Sequence, residues 1–269
     1  MTEHDERRAW VTLALAICDE ADAIARASFR RDLRVSAKPD RTLVTEADRA
    51  IERLARERIR AAHPDHGLIG EEYGIEAGDA PVRWYVDPID GTHNFVRGVP
   101  LFATLLAVEV EGELVAGVVS APALRDRWYA WRGGGAWAVH GAESAEPRRI
   151  HVSAVAALND AHLLYGAGGA IVASGRMPGF EALLRSAWRD RGFGDFWGYM
   201  LVAEGAAEAM IEVGLSAWDA AAPALIVEEA GGRWSDVAGA PVIDAGTFVA
   251  TNGILHDDVL RRLRDGGGD

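Results

Sequence analysis

Asp87-Pro88-Ile89-Asp90-Gly91-Thr92 is the stretch on which the reading of this chain turns. It follows the apolar run Trp84-Tyr85-Val86, so two carboxylates stand where a short strand stops. Pro88 restricts the backbone between them, and Gly91 permits a sharp turn after them. Asp87, the Ile89 carbonyl and Asp90 are therefore expected to face a common site. If a helix begins at Thr92, the amides of Gly91 and Thr92 lie at its positive end, a place suited to a phosphate. The Thr92 hydroxyl, beside that aspartate, is placed to orient a water.

Working outward, Gly70-Glu71-Glu72 follows the apolar pair Leu68-Ile69, and Trp218-Asp219 opens an apolar helical run. Each again puts a carboxylate where a strand stops or a helix starts. Carboxylates that converge repel one another and lose hydration, so they are expected together where cations compensate them. Hard oxygen donors without a cysteine or histidine cluster point to magnesium, with manganese as its usual substitute. Metal, phosphate-binding amides and a water-orienting hydroxyl are the parts of metal-assisted phosphoryl transfer to water.

The composition agrees. With 28 Lys and Arg against 41 Asp and Glu, the 269-residue chain carries a net charge of −13. That repels nucleic acid and anionic membranes, and no basic stripe with interleaved aromatics opposes it. The 49% apolar and 26% charged fractions are those of an ordinary globular protein with a sizeable core. The single cysteine, Cys18, excludes an intramolecular disulfide and sits in an apolar helical setting as a small core residue. The charged start, MTEHDERRAW, has no signal-like apolar core, and no run of roughly 18 apolar residues occurs. A cytoplasmic location is expected.

Trp10, Leu13, Ile17 and Ile24 recur at helical spacing within residues 6–30. A second helix is expected from Thr45, with Asp48 three residues on in a capping-box arrangement and with Ile51, Leu54 and Ile59 along it. Residues 102–110, 114–120 and 127–131 read as an antiparallel meander. Gly133-Gly134-Gly135-Ala136-Trp137 and the polar segment after it mark the expected internal boundary. Beyond it strands and helices alternate. The expected organisation is an α+β half, residues 1–150, holding the main metal motifs, and an α/β half, residues 151–269, supplying substrate-recognition residues and the last metal ligand.

GEE, DPIDGTHNF and WDAAA, in this order and over most of the chain, resemble the inositol monophosphatase family of magnesium-dependent, lithium-sensitive phosphatases. The resemblance implies a layered α-β-α-β-α sandwich of the sugar-phosphatase type and hydrolysis of a small phosphomonoester by metal-activated water. It implies two or three magnesium ions, inhibition by lithium, and a homodimer. Carried over residue by residue, Glu71, Asp87, the Ile89 carbonyl, Asp90 and Asp219 are the implied metal ligands. Thr92, assisted by Glu71, orients the nucleophile. Lys38 and Asp48 match positions that help place a further metal and water, and Glu212 matches one that contacts the substrate. Gly91, Thr92 and Asp219 complete the substrate side. Glu72, adjacent to Glu71, reads as a supporting or capping group, and Lys38 reads equally as a solvated loop charge.

The leaving alcohol is decided elsewhere. Where inositol phosphatases carry a stretch of small residues, this chain has Gly194-Asp195-Phe196-Trp197, followed by Glu204. Added carboxylates beside aromatic rings suit a cationic alcohol with a flat ring, such as histidinol phosphate. GDFWGY with VAEG, NFVRGVP and VVSAPAL resemble the histidinol-phosphate phosphatases of actinobacteria. Asp195, Glu204 and Glu212 are the expected recognition carboxylates. The competing readings are Asp195 as a helix cap, Trp197 and Tyr199 as core, and Glu204 as a solvated helix position. Inositol 1-phosphate hydrolysis, or broad specificity, is the alternative activity, and a non-catalytic metal- or phosphate-binding module is the alternative class. His63 and His66 flank a helix-stopping turn, Gly166 to Gly169 reads as a turn, and His93 and Arg191 receive no role.

Overall fold

The computed structural model describes residues 2–31, 35–37, 43–141 and 146–265. Two compact units emerge, Met1–Arg148 and Arg149–Asp269. The first contains α1 (Glu3–Ser28), β1 (Val35–Ala37), β2 (Leu43–Thr45), α2 (Glu46–Ala62), β3 (Gly67–Gly70), β4 (Gly74–Glu76), β5 (Val82–Asp90) and α3 (Thr92–Arg97). It continues with β6 (Ala103–Val110), β7 (Glu113–Ala121), β8 (Asp126–Trp131) and β9 (Gly135–Val139), and β10 (Arg148–Ile150) lies at the boundary.

Both long helices begin on capping boxes, Thr2 with Asp5 in α1 and Thr45 with Asp48 in α2. Their apolar stripes, Trp10, Ala14, Ile17 and Cys18 on α1 and Ala55 and Ile59 on α2, pack on Trp84, Val86, Leu106, Val108 and Val118 of the sheet. Burial pushes the Cys18 thiol pKa up, as a core thiol requires. The result is one layer of helices on an eight-stranded sheet of order β10-β9-β8-β7-β6-β5-β3-β4. The meander from β6 to β8 is antiparallel throughout, as its pattern predicts.

The triple glycine at 133–135 is not a break. Gly133 and Gly135 have positive φ and turn the chain into β9, which pairs antiparallel with β8. A Cβ on Gly134 would lie 1.9 Å from the Trp131 ring, so glycine there admits the indole.

The second unit holds β11 (His162–Tyr165), α4 (Gly168–Ala173), α5 (Met177–Ser186), β12 (Arg189–Arg191), α6 (Asp195–Ala203), β13 (Ala209–Val213), α7 (Ala217–Glu229), β14 (Arg233–Ser235), β15 (Thr247–Thr251) and α8 (His256–Asp265). Its mixed sheet has the order β12-β11-β13-β15-β14. Ala209 and Ile211 face a core with Ile171, Phe180, Leu183, Val259 and Leu260 from α4, α5 and α8. Met210, between them, faces the other way, where Gly198 of α6 lets the helix approach its sulfur. The unit is thus α-β-α. Of the glycines at 166–169, expected as a turn, Gly168 and Gly169 are the first two residues of α4. Among the described residues no helix is long and apolar enough to cross a membrane.

Candidate active site

In a regular strand, side chains three residues apart point to opposite faces, which would separate Asp87 from Asp90. The register shows how they are reunited. Asp87 stands opposite Leu105 and Asp90 opposite Ala103, so β5 spends one extra residue against β6. That bulge returns both aspartates to one face. One carboxylate oxygen of each lies within 4.8 Å of the other. The Pro88 carbonyl in the bulge accepts a 2.8 Å hydrogen bond from the buried Thr104 hydroxyl.

Gly91 adopts a left-handed conformation, φ 78° and ψ 37°, and α3 starts at Thr92 as expected. The Thr92 hydroxyl lies 2.9 Å from the Ile89 carbonyl and 3.4 Å from Asp48 Oδ1. Its single proton serves one of these oxygens at a time. Asp48 Oδ2 accepts from the Thr45 amide at 2.8 Å and from the Thr45 hydroxyl. Burial pushes the Asp48 pKa above its ordinary value, a rise opposed by the Thr45 hydrogen bonds and reinforced by the charge of Glu72.

Glu71 follows the parallel pair Gly70–Val86, and its amide donates to the Val86 carbonyl at 3.2 Å. It is therefore placed alongside Asp87. Asp87, Asp90, Glu71, the Ile89 carbonyl and the Thr92 hydroxyl form an all-oxygen set with two acidic groups already converged. These residues fit a hard divalent cation. Lys38 lies outside the described residues.

Asp219 occupies the third position of α7, where Oδ2 accepts from the Ser216 amide at 2.7 Å. This is the same capping-box device that holds Asp48. Pro223, four residues on, has no amide to donate to the Asp219 carbonyl.

Also in the second unit, Glu212 Oε2 accepts from the Tyr199 hydroxyl at 2.7 Å. Its pKa is pushed up to about 7, first by burial and next by the charge of Asp195, while the Tyr199 and Asp195-amide hydrogen bonds oppose the rise. Gly166 makes room for this carboxylate, since a Cβ there would lie 2.3 Å from Oε1. Asp195 has φ 59°, a costly conformation outside glycine. It is not the helix cap: Gly194 takes that position, without a side-chain capping bond. Tyr199 is core, 1% exposed and packed on Phe248. The half-buried aromatic pair beside Asp195 is Phe193 with Trp197, ring centroids 4.9 Å apart.

Glu204 stands apart from Asp195. It caps the far end of α6, the helix that Asp195 begins, so nine helical rises of 1.5 Å, about 13 Å, separate them. Asp195 and Glu212 come together. Of the histidines at the turn, His63 and His66 stack at 4.3 Å, and His66 Nδ1 accepts from the Trp84 indole. His93 and Arg191 are exposed.

The periodicity argument missed a charged stripe. Asp48, Glu52 and Arg56 follow one another at i+4 along α2 and are all buried. Their signal is the spacing itself, running beside the apolar stripe Ala47, Ile51, Ala55 and Ile59. Thr104 was missed because its partner, Pro88, lies on another strand, and Gly166 was read only as a turn because Glu212 lies on β13.

Residues 6–266 match the model of the inositol monophosphatase family. The chain is 46% identical to a histidinol-phosphatase of Mycobacterium tuberculosis, covering 98% of this chain and 99% of that one. It is 47% identical to a histidinol-phosphatase of Streptomyces coelicolor, covering 93% and 95%. The solved extragenic suppressor protein suhB of Bartonella henselae superposes with a TM-score of 0.87 at 30% identity, covering 96% and 99%. The chain belongs to the inositol monophosphatase family.

Proposed function

We propose that this chain is a magnesium-dependent phosphomonoesterase that hydrolyses L-histidinol phosphate to L-histidinol and phosphate, a step of histidine biosynthesis. The bulge that brings Asp87 and Asp90 onto one face carries the chemistry. The two curated relatives named histidinol-phosphatase support the substrate.

In this reading residues 1–150 supply Glu71, Asp87, the Ile89 carbonyl and Asp90 to the metal site, and residues 151–269 supply Asp219. When bound, two or three magnesium ions, or manganese in their place, neutralise phosphoryl charge and lower the pKa of water. Thr92, with Glu71, orients the attacking water. Asp48 holds Thr92 from the far side. The amides of Gly91 and Thr92 face the phosphate, and Asp219 also borders the substrate. Asp195 and Glu212 hold the ammonium group of the alcohol, and Phe193 with Trp197 offers a flat surface to its imidazole. Glu204 is left out of this set because of its place on α6. We further place the enzyme in the cytoplasm as a homodimer inhibited by lithium.

The test is phosphate release with magnesium from L-histidinol phosphate and from inositol 1-phosphate, with Asp90→Asn as the blank. A kcat/KM preference of at least a hundredfold for histidinol phosphate is expected. Preference for inositol phosphate would overturn the substrate assignment, and equal activity of Asp90→Asn would overturn the site. Sedimentation at twice the chain mass tests the dimer.

A further inference from the structure

The buried charged stripe of α2 runs toward the turn that carries Glu71. Glu52 is 0% exposed, and its carboxylate has three partners. Oε2 accepts from the Glu72 amide at 2.6 Å, while Oε1 accepts from the Tyr73 amide at 3.2 Å and from Arg56 Nε at 2.8 Å. Arg56 in turn donates to the Gly74 carbonyl and to Glu76 Oε2. One ion pair thus grips the chain on both sides of the turn, at amides 72 and 73 and at carbonyl 74.

Gly70 shows how closely the two are fitted. A Cβ there would lie 2.0 Å from Glu52 Oε1, so the strand leading into Glu71 passes directly over the carboxylate. A buried carboxylate is retained in an otherwise apolar helix–sheet layer at the expense of its hydration. A larger apolar residue would fill that layer and leave the two amides without an acceptor.

We propose that Glu52, locked by Arg56, is a positioning residue that holds the Glu71-Glu72 turn so that Glu71 is presented beside Asp87. This rests on the reading of Glu71 as a metal ligand. The next carboxylate on the stripe, Asp48, reaches Thr92, so a single helix references both the Glu71 turn and the start of α3.

The test uses Glu52→Gln, which keeps the side-chain volume but has one acceptor oxygen where three donors need two. In the metal-free 269-residue protein the Glu72 and Tyr73 amides are expected to exchange at least tenfold faster. The Kd for Mn2+, read by calorimetry without substrate, is expected to rise about tenfold, while KM at saturating magnesium stays within twofold. If Glu52→Gln does not fold, Arg56→Lys, which keeps the cation but loses the fork, is expected to move the same readings in the same direction. Unchanged Mn2+ affinity in the folded variant would overturn the proposal, whatever the amide exchange. Glu71→Gln is the control. Weakened Mn2+ binding in that variant alone would overturn only the positioning role, whereas wild-type binding there would overturn Glu71 as a ligand.

Discussion

The Thr104 hydroxyl donates to the Pro88 carbonyl at 2.8 Å, tying the centre of the Asp87–Asp90 bulge to β6. Thr104→Val keeps the shape and removes the donor, leaving a buried carbonyl unsatisfied. A loss of about 1–3 kcal/mol in urea unfolding is expected, with a higher magnesium concentration for half-maximal phosphate release. Thr104→Ser should restore both. Full magnesium affinity in Thr104→Val would mean that the bulge holds itself.

Gly166 and Glu212 lie so close that a Cβ at 166 would meet the carboxylate. Gly166→Ala would place a methyl 2.3 Å from Glu212 Oε1 and displace the carboxylate. Turnover of L-histidinol phosphate is expected to fall at least tenfold in kcat/KM, with p-nitrophenyl phosphate affected less than threefold. Parallel losses on the two substrates would show that Glu212 serves the fold rather than recognition.

Gly70→Ala tests the fit at the other turn. Its Cβ would lie 2.0 Å from Glu52 Oε1, so the Glu52–Arg56 pair must shift. Overpacking of this kind costs about 1–3 kcal/mol. Urea unfolding at that cost, together with a loss of phosphate release at low magnesium that excess magnesium partly restores, is the expected result.

Stability should depend on pH through His256. It is 0% exposed, with Nδ1 3.0 Å from the Thr251 hydroxyl and Nε2 2.9 Å from that of Ser235. Burial, then the charge of Arg233, lowers its pKa from 6.5 to about 4. Between those values the unfolded chain binds a proton that the folded one refuses. Stability is therefore whole above about pH 6.5 and falls as pH drops toward 4, by on the order of 3 kcal/mol at full effect. The fall in the urea midpoint between pH 7.5 and pH 4.5 should be smaller in His256→Gln than in the wild type. An equal fall in both proteins would assign the effect to other groups.

Local signals were legible wherever a residue and its partner lie within one turn of helix or one strand. Thr45 and Asp48 form the expected capping box, Gly91 takes the expected left-handed turn, and the meander follows its alternation. The reading faltered where partners are distant. Glu204 was grouped with Asp195 by sequence proximity, yet a helix holds them apart. The boundary expected from the glycines at 133–135 and the polar segment after them falls within that polar segment, at Arg148 and Arg149, while the glycines themselves turn a tight hairpin, whose composition a linker shares.

The sequence by itself determined the family and the chemistry of the donor set, because both are written in contiguous residues: carboxylates, a carbonyl and a hydroxyl around a proline and a glycine. Only the tertiary structure decided which of those groups face one another. Asp87 and Asp90 share a face through an extra residue measured against β6. Glu52 and Arg56 become a buried brace because of what β3 and the following turn bring over them. Register and burial are properties of pairs of segments, and a single segment read alone does not carry its partner's position.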